Sequence, residues 1–86
     1  DDFIFEVLYT KGHTDDSITI YFEKEKAMFT GDFLFYLSIG RTDLGGNYLD
    51  MKNSIEKIKT YKDINIYPGH GPFTTIDFEK ENNPFF

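Results

Sequence analysis

The sequence predicts an α/β layer, a small sheet with helices covering one of its faces. Three observations lead there. Alternating segments at residues 3–9 and 17–22, followed by a third short strand at 27–30, occupy the first third of the chain. After Asn47 the apolar spacing switches to the helical period, and a short strand followed by a second helix closes the chain. Strands and helices mixed along one chain build a sheet with helices packed on it. The expected order is β-β-β-loop-α-β-α, within one small domain of residues 1–86.

Each element has its own reason. Residues 3–9 are rich in aromatic and β-branched side chains, and Phe3, Phe5, Val7 and Tyr9 alternate onto one face of a strand. Lys11 to Asp16 is polar and holds a glycine, hence a loop. Residues 17–22 alternate again, Glu23-Lys24-Glu25-Lys26 is a solvated hairpin turn, and residues 27–30 form a third strand running into Gly31-Asp32. An apolar run from Phe33 to Leu37 gives way to loop chemistry through Gly46. Tyr48, Met51, Ile55 and Ile58 then recur at three- and four-residue spacing behind Asn47, a good N-cap, which predicts an amphipathic helix. Residues 64–67 are a short strand ending at Pro68-Gly69-His70-Gly71-Pro72. Thr74-x-x-Asp77 reads as a capping box opening a last helix to about Asn82, and Pro84 stops it.

Composition narrows the function. The chain is 40% hydrophobic and 28% charged, which is globular, and it carries ten Phe and six Tyr, most of them expected in the core. A net charge of −6 disfavours nucleic acid and anionic membrane surfaces, both of which call for a basic patch. No apolar run reaches the roughly 18 residues of a membrane span, and the first residues do not read as the basic-then-apolar start of a signal peptide. Without cysteine there are no disulfides and no thiolate ligands, in keeping with a reducing, cytoplasmic compartment. Asp1-Asp2 leads straight into a strand pattern with no initiator Met, so a segment of a longer domain is expected.

One arrangement occurs three times. Gly12-His13, Gly31-Asp32 and Gly69-His70 each place a potential metal ligand after a glycine at the end of a predicted strand. A sheet that ends its strands this way aims two imidazoles and a carboxylate from one edge toward a common point. Those are the residue types of a catalytic zinc or iron centre.

Longer strings surround these pairs in a fixed order. Gly12-His13-Thr14 with Ser17 comes first, then Phe29-Thr30-Gly31-Asp32-x-Leu34-Phe35, then Ile39-Gly40-Arg41-Thr42-Asp43-Leu44. Tyr67-Pro68-Gly69-His70-Gly71-Pro72 follows, and Thr74-Thr75, Glu79 and Asn83-Pro84-Phe85 close the series. Together they resemble the metallo-β-lactamase fold family, in particular its glyoxalase II-like hydrolases. The resemblance runs from about residue 8 to the C-terminus and covers the C-terminal half of a family domain, half of an αββα sandwich.

That resemblance implies a dinuclear centre, two zinc ions (or iron or manganese) per complete domain. His13 would ligate the first metal, Asp32 would bridge both and act catalytically, and His70 would ligate the second. The implied reaction is hydrolysis of a small-molecule thioester, lactam or related ester, with water made nucleophilic by the metals. The family's His-x-His-x-Asp-His motif does not occur in these residues, so the chain alone is expected to be inactive. Asp15-Asp16 stands where the family usually has Pro-Gly, and Phe33 where threonine is commoner. Arg41 and Asp43 are expected to form a structural ion pair, and Tyr67 to pack. Two alternatives remain open: a mononuclear iron enzyme of the persulfide dioxygenase type, and a non-catalytic fragment that self-associates. A half-sandwich leaves one sheet face uncovered, so a homodimer, or pairing with an N-terminal half, is expected.

Overall fold

Residues 4–86 are described in the computed structural model. Strands β1 (Glu6–Tyr9), β2 (Ile18–Phe22) and β3 (Ala27–Gly31) form an antiparallel meander, with Val7 opposite Ile20 and Tyr21 opposite Met28. Lys26 takes a left-handed conformation (φ 54°) in the charged turn that joins the last two. A short hairpin of β4 (Leu34–Phe35) and β5 (Ser38–Ile39) follows, then helix α1 (Tyr48–Ile58). Strand β6 (Asn65–Pro68) pairs parallel to β3, and β7 (Thr74–Thr75) adds antiparallel to β6 before helix α2 (Ile76–Asn82). The sheet order is β1-β2-β3-β6-β7.

The two faces of this sheet differ. Leu8, Tyr21, Met28 and Ile66 point to one side and form a buried cluster with Met51, Ile55 and Ile58 of α1 and Ile76 of α2. Phe33 and Leu34 complete the cluster from beneath the short hairpin. Met51, Ile55 and Ile58 of the helical spacing are the buried stripe of α1, whereas Tyr48 in its first turn is exposed, and Asn47 caps the helix by accepting from the Asp50 N–H at 3.0 Å. Burying Tyr21 and Tyr61 edge to face, ring centres 5.1 Å apart, raises the pKa of both phenols, chiefly by desolvation.

The other face carries no helix. A row of rings crosses the whole sheet there: Phe5 to Phe22 at 5.8 Å, Phe22 to Phe29 at 5.7 Å, Phe29 to Tyr67 at 5.2 Å and Tyr67 to Phe73 at 4.8 Å. Phe5 is 56% exposed, Tyr9 67% and Phe73 72%. The face on which Phe5, Val7 and Tyr9 alternate is thus the open one, and Leu8 and Thr10 between them are buried. Phe3 lies outside the described residues.

The predicted α/β layer, with helices on one face, is the observed architecture. Two details differ. The segment after Phe33, expected as an apolar run and loop, contains the β4–β5 hairpin, which buries Leu34 and leaves Leu37 at its turn with φ 59°. The α2 cap is Thr75, whose hydroxyl accepts from the Phe78 N–H at 3.1 Å, and not Thr74. Both threonines pair with β6, Thr74 with Ile66 and Thr75 with Asn65, but the Thr74 hydroxyl donates to Glu79 at 2.7 Å, and Asp77 accepts from the Asp63 N–H. Among the described residues no helix is long and apolar enough to cross a membrane.

Candidate metal centre

Strand direction makes the site. The β1 and β3 strands both run antiparallel to β2, and β6 runs parallel to β3, so β1, β3 and β6 end on the same edge of the sheet. His13 follows β1, Asp32 follows β3 and His70 follows β6. The carboxyl ends of codirectional strands are where open α/β sheets place their ligands.

Each side chain is held from behind. The Gly12 backbone (φ 146°) lies so close to α1 that a Cβ there would sit 2.5 Å from the Met51 Cα. Its carbonyl accepts from Asn47 N–H, and the Ser54 hydroxyl donates to the Lys11 carbonyl at 2.7 Å. The loop carrying His13 is therefore fastened to the first turns of α1. Beyond it, the Thr14 and Ser17 hydroxyls lie 2.7 Å apart and Thr14 donates to Asp16, so hydrogen bonds order the Asp15-Asp16 turn. Gly69 donates to the Gly31 carbonyl at 2.9 Å and ties the His70 turn to the end of β3. Gly40 packs directly on Asp32, where a Cβ would lie 1.9 Å from the Asp32 carbonyl oxygen and 3.1 Å from the His13 Cβ.

The three ligand candidates form a row with the carboxylate in the middle. His13 Nε2 lies 3.9 Å from Asp32 Oδ2, and His70 Nε2 lies 3.5 Å from Asp32 Oδ1. Each carboxylate oxygen thus faces a different imidazole. His13 Nδ1 is 2.8 Å from the Arg41 carbonyl, which can only accept, so Nδ1 carries the proton and Nε2 is turned toward Asp32. A backbone carbonyl behind the second ring nitrogen is how metal-binding histidines are oriented.

These separations suit a shared cation better than direct hydrogen bonds. Both exceed the N···O range of about 2.7–3.2 Å for a hydrogen bond. Two ligands on one tetrahedral ion, each about 2.1 Å from it, stand about 3.4 Å apart. The donor set of two imidazoles and a carboxylate therefore fits divalent metal. Among the described residues no group of three His, Asp or Glu closes on one point as a cage.

Around the row, the Phe35 and His70 rings lie 6.1 Å apart, and a cavity of about 320 Å³ opens between Phe35, Tyr36, Ser38, His70, Gly71 and Pro72. Arg41 holds Asp43 through two hydrogen bonds of 3.0 and 2.9 Å, as the sequence suggested. That bonding pushes the guanidinium pKa up and holds the Asp43 carboxyl below its ordinary value. Tyr67 packs between Phe29 and Phe73 rather than facing the row. The role of the Arg41 carbonyl carried no signal in the sequence, because a backbone atom has no residue type.

Residues 1–70 match the sequence profile of the metallo-β-lactamase superfamily. The chain belongs to that superfamily. Membership implies divalent-metal binding. Hydroxyacylglutathione hydrolase GloC of Haemophilus influenzae is 44% identical over 99% of the chain and 42% of its own length. A protein of Streptococcus pyogenes serotype M6, named as a probable metallo-hydrolase, is also 44% identical, over 98% of the chain and 38% of its own length. The chain thus spans about two fifths of the length of the curated relatives it matches. Among solved structures, TTHA1623 in a di-iron-bound form superposes with a TM-score of 0.93 at 34% identity, over the whole chain and 44% of TTHA1623. ETHE1 from Myxococcus xanthus superposes with a TM-score of 0.85 at 38% identity, over 93% of the chain and 38% of ETHE1. This superfamily chain accordingly carries a partial metallo-β-lactamase domain.

Proposed function

We propose that this chain contributes one side of a dinuclear metal centre in a hydrolase acting on small thioesters or esters. His13 and His70 each hold one divalent ion, zinc in our reading, and Asp32 bridges the two. The observation that carries this is the row itself, one carboxylate oxygen directed at each imidazole. Ions bound there would supply Lewis acidity toward a carbonyl and lower the pKa of water. The chain's own groups do the rest. The Arg41 carbonyl fixes the His13 tautomer, and the Phe35, Tyr36 and Pro72 side of the neighbouring cavity receives the apolar part of a substrate.

Three protein ligands shared between two ions fall short of the four a stable zinc site takes. The remaining ligands come, in this reading, from a complementary half of the domain seated on the open aromatic face. Without it, that face drives self-association into a homodimer, because soluble monomers rarely expose apolar patches beyond a few hundred Å². The likeness to GloC favours a thioester substrate. The likeness to ETHE1 favours a second reading, a mononuclear iron enzyme of the persulfide dioxygenase type that uses His13 and Asp32 with one further His.

Elemental analysis and thioester assays, on the chain alone and joined to a complementary family half, test the proposal. Metal-dependent turnover should occur only in the joined form and vanish in His70→Ala. Turnover by the chain alone that vanishes in His70→Ala would overturn it. Iron with oxygen consumption would instead select the second reading.

A further inference from the structure

Away from the metal row, the interior holds a carboxylate that the proposed chemistry does not use. Glu79, on α2, is fully buried, although an acidic side chain is costly to bury and an apolar one would fill the space more cheaply. All its partners donate. Its Oε1 accepts from the Leu37 N–H at 2.9 Å and from the Asn83 amide at 2.7 Å. Its Oε2 accepts from the Thr74 hydroxyl at 2.7 Å. The Asn83 amide also donates to the Ser38 carbonyl at 3.1 Å.

Two of these partners, Leu37 and Thr74, lie in the segments that form the two walls of the cavity beside His70, and Asn83, at the end of α2, reaches the first of them through the Ser38 carbonyl. One wall is the β4–β5 hairpin, with Phe35, Tyr36 and Ser38 around Leu37. The other is the His70-Gly71-Pro72 turn, which continues into Thr74. The first wall also carries strain: Leu37 has φ 59°, a region that branched side chains rarely occupy and that persists only where surrounding contacts enforce it. Its N–H is the group Glu79 holds. Tyr36 in turn stacks on Phe78, with ring centres 5.5 Å apart, so α2 touches the same wall a second time.

We propose that Glu79 is a positioning residue for the cavity beside His70. One oxygen fixes the strained hairpin wall, the other fixes the wall that carries His70, and the carboxylate sets the distance between them. This rests on the proposed function only for what the cavity is used for. The clamp itself is a statement about two walls and one buried side chain.

Nuclear magnetic resonance on the full chain separates the two. In Glu79→Met the side chain keeps its length but has no oxygen to accept, so the Leu37 N–H, the Asn83 amide and the Thr74 hydroxyl all lose that partner and the walls are released. The expected results are Leu37 amide exchange faster by about tenfold or more, the loss expected for one such hydrogen bond, and weaker Phe35–His70 ring cross-peaks. Amides of Met28 and Ile66 in the core should keep wild-type exchange. Thr74→Val, a milder change, should loosen His70 while leaving Leu37 protected. Zinc alone, titrated in and followed at each imidazole, should bind more weakly at His70 and unchanged at His13 in both variants. Uniform loss of protection across core and walls in both variants would overturn the clamp, as would wild-type exchange and ring contacts in both. If wild-type zinc leaves the His70 resonances unmoved, the metal reading fails, while the exchange and ring contacts still decide the clamp.

Discussion

Gly40→Ala should damage the metal row more than the fold. The added Cβ would lie 1.9 Å from the Asp32 carbonyl oxygen and 3.1 Å from the His13 Cβ. Ordinary contact begins at about 3.5 Å, so Asp32 or the Gly40 backbone must move by roughly 1.5 Å. Gly40 cannot retreat freely, because its N–H donates to the Phe33 carbonyl at 3.0 Å beneath the same turn. The displacement therefore falls on Asp32 and His13, whose 3.9 Å separation is the geometry of the row. Overpacking of this kind costs about 1–3 kcal/mol, and roughly 2 kcal/mol lowers the melting temperature of so small a domain by about 10 °C. Misplacing a reacting group by about 1 Å can cost on the order of 100-fold. Competition with a chromophoric chelator should show zinc affinity reduced by at least about tenfold, and thermal unfolding should show the modest stability loss. Wild-type zinc affinity in a folded Gly40→Ala chain would refute the reasoning.

Further expectations follow from the same structure. His13→Ala, Asp32→Ala and His70→Ala should each weaken zinc binding with little loss of folding; a chain that unfolds with Asp32→Ala yet keeps its metal would make Asp32 a turn residue only. Asn47→Ala should destabilise the chain by about 1 kcal/mol in denaturant titration, since the Asp50 N–H loses its cap. Asp43 is held below its ordinary value of 3.8 by Arg41, so the stability it lends is present above that value and is lost as pH falls through the lower, folded one. Arg41→Gln should return the Asp43 carboxyl resonance to the ordinary titration range, with little change in melting temperature because the pair is exposed. Phe29→Glu, in the middle of the open ring row, should weaken self-association in analytical ultracentrifugation, whereas a non-aggregating wild-type monomer at micromolar concentration would contradict the role given to that face.

The layer and the row were legible because both rest on local pattern. Period-2 alternation marked β1 and β2, the Met51–Ile55–Ile58 stripe marked α1, and a glycine before each of His13, Asp32 and His70 marked strand ends. The uncovered face was legible too, since helices on one side of a single sheet leave the other open, and Phe5, Val7 and Tyr9 are exposed on it. What escaped was set by tertiary contacts. Two-residue strands such as β4 and β5 have no period to detect, and their turn places a leucine where a glycine would be the local choice. Thr74 and Thr75 are chemically alike and both pair with β6; the Thr74 hydroxyl turns to buried Glu79 and the Thr75 hydroxyl caps α2. The orienting partner of His13 is a carbonyl, and the partners of Glu79 lie 42 residues away at Leu37 and 5 away at Thr74.

The central claim is that Asp32 stands between two imidazoles as a shared ligand. Titrating the chain with zinc while following the ring resonances of His13 and His70 tests it most directly. Both imidazoles should shift through Nε2, the His13 Nδ1–H should keep donating to the Arg41 carbonyl, and Asp32→Ala should weaken both responses together. Zinc that moves neither imidazole, or an Asp32→Ala chain that responds as the wild type does, would contradict it.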